Sequence, residues 1–265
     1  MSKAKSGGTW ETIKTVVVAM LIAAFVRTVA FEPFNIPSGS MIPTLLIGDY
    51  LFVSKYAYGF SRHSMPFSMG PEGGRVLERI PERGDVVVFK VFVSKRDGLG
   101  RPVLDAQGRP LKDMVDYIKR VIGLPGDRIQ VVGGILHING QAVKRDRIED
   151  FVELTREGNI MRAPQYVETL PEGRTHRIIE FQGDNGLADN TPEYIVPAGH
   201  YFMMGDNRDN SADSRFLDEV GYVPANRLVG RAEVIFFSGD GSAALWEVWK
   251  WPWAIRFSRL LDGIE

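Results

Sequence analysis

The chain has 265 residues, which is enough for one large domain or two modest ones with an apolar core. Its formal net charge is -1, so the overall charge gives no reason to expect nucleic acid as a partner. Cysteine is absent, which excludes disulfides, a thiolate nucleophile and cysteine-ligated zinc.

The N-terminal segment joins a basic tail to the one long apolar run of the chain. Residues 1–14 are polar with three lysines, and residues 15–31 carry a single charge, Arg27. A run of this length reaches the lower limit for spanning a bilayer, so we predict a transmembrane helix with its N-terminus in the cytoplasm. A buried core helix fits less well, because the run has no polar face. A cleaved signal peptide ending at Thr28-Val29-Ala30 is a competing interpretation that also predicts export of the rest of the chain.

Two prolines and a glycine surround Ser40, directly after the apolar run. Pro37 and Pro43 each fix their own φ and favour extended geometry in the preceding residue. Gly39 permits backbone conformations that other residues cannot adopt. Such a stiff, bent segment suits either a tight structural turn or a positioned nucleophile.

Short runs of valine and isoleucine between glycines and prolines predict that the exported part is mainly β. The strongest strand signal is the apolar run at residues 86–93. Residues 117–122 are apolar on both sides, as in a core strand, with Lys119 in the middle. Gly133-Gly134 and Asn139-Gly140 separate short apolar runs and predict tight hairpins.

The distribution of apolar, polar and charged residues divides the chain into an N-terminal tail, a transmembrane helix, a β domain with an insertion, and a tryptophan-rich C-terminal tail. The insertion is predicted because its sequence is polar, weakly patterned and interrupted by prolines. The tryptophans of the end lie among lysine and arginine, which suits either a membrane interface or a tail packed onto the domain. The parts are 1–14, 15–31, the β domain at 32–140 and 197–240, the insertion at 141–196, and the tail at 241–265.

A nucleophilic serine needs a base, and the histidines do not supply an evident one. The four histidines are scattered without metal-ligand spacing, so neither a metal site nor a Ser-His-Asp triad is supported. Burial of Lys119 among apolar neighbours would lower its pKa, and a neutral amine could then take the proton of Ser40. A serine in such a segment is most often only a turn residue, and a lysine in an apolar strand usually extends its charged end to solvent. The sequence spacing of Ser40 and Lys119 therefore makes the Ser/Lys pair only a hypothesis.

Five motifs occur together in a fixed order. They are the segment 36–45, Gly48-Asp49 with Lys55, the run 83–89, the run 117–127, and the polar loop 205–215. Together with the apolar N-terminal run, they resemble the bacterial type I signal peptidases, or leader peptidases. These are membrane-anchored serine endopeptidases with a Ser/Lys dyad. The resemblance implies a mainly β fold, namely a coiled, mostly antiparallel catalytic domain after one transmembrane helix, with an inserted variable subdomain.

The resemblance also implies roles for individual residues. Ser40 would be the nucleophile and Lys119 the general base. The Ser40 backbone N–H and the Ser38 hydroxyl would form the oxyanion hole. Ser211 would orient the Lys119 amine, and an ion pair between Asp213 and Arg215 would hold the loop of Ser211. Two small apolar substrate pockets would be lined by Phe34, Ile36, Met41, Leu45, Tyr117 and Ile118.

The function implied by the resemblance is removal of signal peptides from secretory preproteins after an Ala-x-Ala-like site. The chain would be a single-pass protein of the bacterial inner membrane, with its catalytic domain on the extracytoplasmic side. Preproteins and the lipid bilayer would be its partners, and no cofactor, metal or nucleic acid is expected. Two alternatives stay open: a self-cleaving Ser/Lys peptidase of the repressor kind, and a catalytically dead envelope protein that binds signal peptides.

Overall fold

The computed structural model describes residues 8–62, 75–98, 101–105, 107–154, 159–243 and 246–265. Within these ranges the chain forms two α-helices, several short 3-10 turns and a set of β-strands. The helices are α1 (Gly8–Val29) and α2 (Trp251–Ala254). The strands are β1 (Phe31–Asn35), β2 (Asp49–Ser54), β3 (Val86–Ser94), β4 (Lys112–Gly123), β5 (Arg128–Val132), β6 (Ile135–Ile138), β7 (Gln141–Ala142), β8 (Lys144–Leu154), β9 (Ile160–Thr169), β10 (Thr175–Ile179), β11 (Tyr194–Ile195), β12 (His200–Met204), β13 (Val223–Pro224), β14 (Leu228–Ser238) and β15 (Asp262–Gly263).

Over the described residues, the strands form three sheets. The largest has the order β1-β2-β14-β3-β4-β12-β13, with β15 added beside β14. The second has the order β10-β9-β8 and the third β11-β5-β6-β7. All pairings between these strands are antiparallel, so the prediction of a mainly β, mostly antiparallel fold is confirmed.

The core forms on both faces of β3, which lies between β14 and β4. Val86 and Val88 belong to one apolar cluster, whereas Val87, Phe89 and Val91 belong to another. Successive side chains of a strand point to opposite faces, so a strand that is apolar at every position is buried on both sides. The continuous apolar run at 86–93 therefore gives a central strand.

The two predicted hairpins are present. Gly133 and Gly134 connect β5 to β6, and Asn139 and Gly140 connect β6 to β7. All four have positive φ, at 54°, 72°, 54° and 80° respectively. Tight two-residue hairpins need positive φ at both central positions, which glycine and asparagine accept at low cost.

The region predicted as an insertion contains long strands. Strands β8, β9 and β10 form their own sheet, whereas β7 and β11 pair with β6 and β5. Most side chains of β8 are charged and none of its described positions is buried, whereas exposed, intermediate and buried positions follow one another irregularly along β9. These strands therefore lack the continuous apolar run from which they could be predicted.

The C-terminal tail packs onto the domain and also exposes aromatic side chains. Arg259 forms an ion pair with Asp49 at 2.6 Å, and β15 pairs with β14. Trp246, Trp249 and Trp253 are exposed, the last at 81%. The packed contacts support a tail bound to the domain, and the exposed tryptophans support a contact with the membrane interface.

Helix α1 contains most of the run predicted to span a membrane. Across the described residues, no helix was found that is both long and apolar enough to cross a bilayer. The transmembrane assignment of residues 15–31 therefore stays a prediction.

Candidate active site

The structure brings Ser40 and Lys119 together, although 78 residues separate them in the sequence. The Nζ atom of Lys119 lies 2.6 Å from the Oγ atom of Ser40. Both residues are buried, at 4% and 9% exposure respectively. Nζ also donates to the backbone carbonyl of Ile118 at 3.0 Å. A neutral amine can donate to that carbonyl and still present its lone pair to the serine hydroxyl.

The surroundings of Lys119 favour the neutral amine. Burial lowers the pKa of its ammonium from 10.5 to about 8, because the charged form loses hydration. The carboxylates of Asp213 and Asp206 act in the opposite direction, and Arg215 lowers the pKa further. The amine is thus available as a base within two pH units of neutrality, which free lysine is not.

The turn that carries Ser40 is held by the polar loop 205–215. The side-chain amide of Asn207 donates to the carbonyl of Gly39 at 3.0 Å, and its backbone N–H donates to the carbonyl of Ser40 at 3.1 Å. Gly39 leaves little room for a side chain, because a Cβ there would lie 2.9 Å from the Cδ1 of Ile42. Sequence reasoning missed Asn207, which no local pattern connects to the turn.

A buried ion pair supports the same turn from below. Arg120 pairs with Asp206 at 2.8 Å, and both side chains are 1% exposed. The hydroxyl of Thr44 donates to the same carboxylate at 2.6 Å. Burial by itself would raise the pKa of Asp206, but the charge and hydrogen bonds of Arg120 hold it below its ordinary value. Sequence analysis had not assigned a role to any of these three residues.

The loop of Ser211 contains the expected ion pair but not the expected hydrogen bond. Asp213 pairs with Arg215 at 2.9 Å and also accepts the backbone N–H of Gly205 at 3.0 Å. Among the described residues, no hydrogen bond joins the buried Ser211 hydroxyl to the Lys119 amine; the neighbouring group that it affects is Asp213, whose pKa it lowers. Lys119 instead contacts Ser40 and the carbonyl of Ile118. The predicted contact from Ser211 to the amine is therefore not formed in this structure.

Gly205 fixes how closely this loop approaches the nucleophile. A Cβ at this position would lie 2.2 Å from the Oγ of Ser211 and 2.5 Å from the carbonyl oxygen of Ser40. Any larger residue would separate the two segments. Gly205 thus sets the distance between the loop of Ser211 and the turn of Ser40.

An open cleft of about 530 Å³ leads to the Ser40–Lys119 contact. Four of the six predicted pocket residues line it: Phe34, Ile36, Tyr117 and Ile118. Ser38 lies at the same surface and is exposed, so its hydroxyl is accessible to a bound peptide. The sequence had not indicated the remaining lining side chains, which are Asn35, Pro37, Val88, Asp116, Asn210 and Ala212.

The other two predicted pocket residues occupy a different place. Met41 and Leu45 are 0% exposed and pack in the core cluster with Leu51 and Val53. They do not line the cleft, because the turn after Ser40 directs them into the domain. They support the cleft from beneath, and this corrects the prediction that they contact substrate.

Known proteins resemble this chain over most of its length. The sequence profile of the family "Signal peptidase, peptidase S26" matches residues 9–237. A signal peptidase I of Rickettsia conorii is 39% identical over 225 residues, which cover 82% of this chain and 75% of the relative. A signal peptidase I of Rickettsia typhi is 39% identical over 225 residues, 82% of this chain and 76% of the relative. A solved signal peptidase I from Enterococcus faecalis V583 is 22% identical with a TM-score of 0.28, covering 58% of this chain and 97% of its own.

These matches define the class of protein as a serine peptidase, a hydrolase of peptide bonds. More specifically, the chain belongs to the signal peptidase family, peptidase S26, and its relatives are type I signal peptidases. The matched region contains both Ser40 and Lys119. The resemblance drawn from the motifs is therefore confirmed.

Proposed function

We propose that the chain removes signal peptides from secretory preproteins by cutting after an Ala-x-Ala-like site, with Ser40 as nucleophile and Lys119 as general base. Membership of the signal peptidase family supports signal-peptide removal as the general activity. The observation that carries the finer proposal is the 2.6 Å contact between Lys119 Nζ and Ser40 Oγ inside an apolar cleft. A hydroxyl becomes an effective nucleophile only with such an adjacent base.

The proposed reaction proceeds through an acyl-enzyme. The Oγ of Ser40 attacks the scissile carbonyl carbon while its proton passes to the Nζ of Lys119. The C–N bond then breaks, and Lys119 returns this proton to the leaving amine. Water, deprotonated by the same neutral amine, attacks the ester, and the proton finally returns to Ser40 as the new carboxyl group leaves.

The developing oxyanion would be stabilised by the backbone N–H of Ser40 and the hydroxyl of Ser38. Ser38 lines the cleft and is exposed. Donors aimed at a developing charge contribute about 10²–10³ each in rate. Ile36 and Ile118 both line the cleft beside the reacting atoms. We infer that small substrate side chains are selected because larger ones would clash with these walls.

We also propose that residues 15–31 anchor the chain in the bacterial inner membrane, with the catalytic domain outside. The run carries one charge, and residues 10–20 of α1 are exposed to solvent over their apolar side chains. An apolar helical surface without cover on the domain needs another apolar environment. Ser40 follows the end of the run by nine residues, so an anchor would also position the nucleophile at the membrane surface.

Two experiments test these proposals separately. Purified protein is incubated with a preprotein that has an Ala-x-Ala site and with a matched preprotein whose final alanine is phenylalanine. Cleavage after the last alanine of the first, and no cleavage of the second at that bond, is expected. Cleavage of both at similar rates would contradict selection by narrow walls. Alkaline extraction of membranes tests the anchor: the full chain should stay in the pellet, and a chain lacking residues 1–31 should be released.

A further inference from the structure

Three carboxylates that do not line the cleft meet in another part of the domain. Glu180 directly follows β10, Asp189 lies in the loop before β11, and Asp209 lies in the polar loop 205–215. One carboxylate oxygen from each lies within 4.8 Å of the other two. Glu180 and Asp189 are each 1% exposed, whereas Asp209 is half-buried and leaves the group open on one side.

Little positive charge balances this cluster. Among the described residues, Arg145 is the one basic side chain within 4.0 Å of a cluster carboxylate, at 3.8 Å from Glu180. The guanidinium of Arg145 is already engaged, because it donates to Asp184 at 2.8 Å and to the carbonyl of Gly134 at 3.1 Å. Arg208, which lies on the same loop as Asp209, is paired with Glu168. The three carboxylates therefore lie close together, and no basic side chain of the described residues donates a hydrogen bond to them.

The backbone fixes two of the carboxylates and leaves the third unsatisfied. The N–H of Gly186 donates to Asp189, and the N–H of Gln182 donates to Asp209 at 2.7 Å. A Cβ on Gly186 would lie 2.2 Å from Asp209 Oδ1, so a larger residue here would displace that carboxylate from its present position. The Oε2 of Glu180 is buried and has no hydrogen-bond partner in the described part of the chain. Buried acceptors without a donor are rare in folded proteins, and a bound cation would satisfy this one.

We propose that Glu180, Asp189 and Asp209 bind one Ca²⁺ ion. Calcium takes oxygen ligands at about 2.3–2.6 Å, so oxygens on opposite sides of the ion are about 4.6–5.2 Å apart, which accommodates the observed cluster. Its coordination is flexible, and water entering on the open side of Asp209 completes it. Magnesium requires near-ideal octahedral geometry at about 2.0–2.1 Å and gives up its water reluctantly, so a site of three protein carboxylates suits calcium better.

The bound ion would join two loops that are distant in sequence. It would connect the segment 182–190 to the loop 205–215, which carries Asn207 and Ser211. Asn207 holds the Ser40 turn through the carbonyls of Gly39 and Ser40. The ion is thus structural, and the proposal does not depend on the proposed reaction. Metal-ligand spacing in the sequence could not reveal it, because the three acids are 9 and 20 residues apart.

The test uses the full chain in detergent after removal of metals with a chelator. Calorimetric titration with Ca²⁺ should give one ion per chain, and saturation to about 100 times the Kd should raise the Tm by about 5–10 °C. The same concentration of Mg²⁺ should give a clearly smaller shift. Glu180→Gln preserves shape and should weaken Ca²⁺ binding at least tenfold. Asp146→Asn, which alters an exposed carboxylate on β8, is the matched control and should bind Ca²⁺ like the wild type.

Three results would overturn the proposal. The first is an absence of Ca²⁺ binding by the wild type up to millimolar concentrations. The second is unchanged binding in both Glu180→Gln and Asp209→Asn, which would place the ion elsewhere. The third is a higher metal-free Tm in Glu180→Gln together with no response of the wild type to Ca²⁺, which would show that a shared proton replaces the ion. If Glu180→Gln does not fold, Asp209→Asn at the open side gives the same comparison.

Discussion

The buried amine of Lys119 predicts a rise of activity with pH in a defined range. In the proposed reaction only the neutral amine can accept the proton of Ser40. Burial lowers the pKa of Lys119 from 10.5 to about 8. At pH 7 the neutral fraction is therefore about one in ten, whereas it would be about one in 3,000 for an unperturbed lysine. The lowered pKa thus raises the fraction of neutral, proton-accepting amine at pH 7 by about 300-fold.

The same shift makes a second prediction, about stability. In the unfolded chain the lysine stays charged up to about its ordinary pKa of 10.5, whereas the folded protein favours the neutral form above about 8. Holding the charged amine in the folded protein below pH 8 therefore costs about 3 kcal/mol, and this cost is relieved as the pH rises from about 8 to 10.5. Lys119→Met should be inactive, yet more stable than the wild type at pH 7 by up to this amount.

The assay is kcat/KM for a preprotein between pH 6 and 10, because this ratio reports the pKa of the free enzyme. A limb that rises with a midpoint near 8 is expected. Lys90→Met removes a partly exposed lysine on the neighbouring strand and should leave the midpoint unchanged. A midpoint near 10, or a profile that is flat over the whole range, would refute the buried-base mechanism. Denaturant unfolding of Lys119→Met at pH 7 and pH 10 checks the stability prediction.

Three further predictions concern the oxyanion hole, the supporting loop and the core beneath the cleft. Ser38→Ala should lower kcat by about 10²–10³ with little change in KM, because the donor acts mainly on the transition state. Asp213→Asn should reduce the free energy of unfolding by about 3–5 kcal/mol, because it leaves Arg215 buried without its partner. As a control, Asp146→Asn breaks an exposed ion pair and should change the free energy of unfolding by less than about 1 kcal/mol. Leu45→Ala should reduce it by about 2–5 kcal/mol, since Leu45 is 0% exposed in the core.

Each of these predictions has a result that contradicts it. A rise in KM with unchanged kcat in Ser38→Ala would make Ser38 a binding residue. Equal losses of stability in Asp213→Asn and Asp146→Asn would show that the buried pair has no special role. If Leu45→Ala kept the wild-type free energy of unfolding but accepted larger substrate side chains, Leu45 would be a pocket wall, as first predicted. Steady-state kinetics and denaturant titrations supply these measurements.

Where local pattern determines structure, the sequence was sufficient. The apolar run at 86–93 predicted a central strand, and Gly133-Gly134 and Asn139-Gly140 predicted hairpins, because strand burial and turn φ depend on neighbouring residues. The resemblance supplied the pair Ser40 and Lys119, which the fold then places 2.6 Å apart. Spacing alone could not have shown this contact.

Tertiary packing accounts for what the sequence missed. Asn207 contacts the Ser40 turn through Gly39, which is 168 positions away in the sequence. Arg120 pairs with Asp206, which is 86 positions away. No periodicity encodes such contacts. The resemblance implied that Met41 lines a substrate pocket, but the turn directs it into the core. Strands β8 and β9 were not predicted, because neither contains an apolar run or a regular alternation of buried and exposed positions.

The central claim is that Ser40 and Lys119 together cut the signal peptide. The most direct measurement is cleavage of an Ala-x-Ala preprotein in detergent or liposomes by the wild type, Ser40→Ala and Lys119→Ala. Ser54→Ala and Lys55→Met, at a buried serine and a buried lysine outside the cleft lining, are the matched controls. If Ser40 and Lys119 form the dyad, the wild type and both controls should cut after the last alanine. Folded Ser40→Ala and Lys119→Ala should not cut at all. Residual cutting by either dyad variant would contradict the Ser/Lys mechanism, and an inactive wild type would favour a protein that only binds signal peptides.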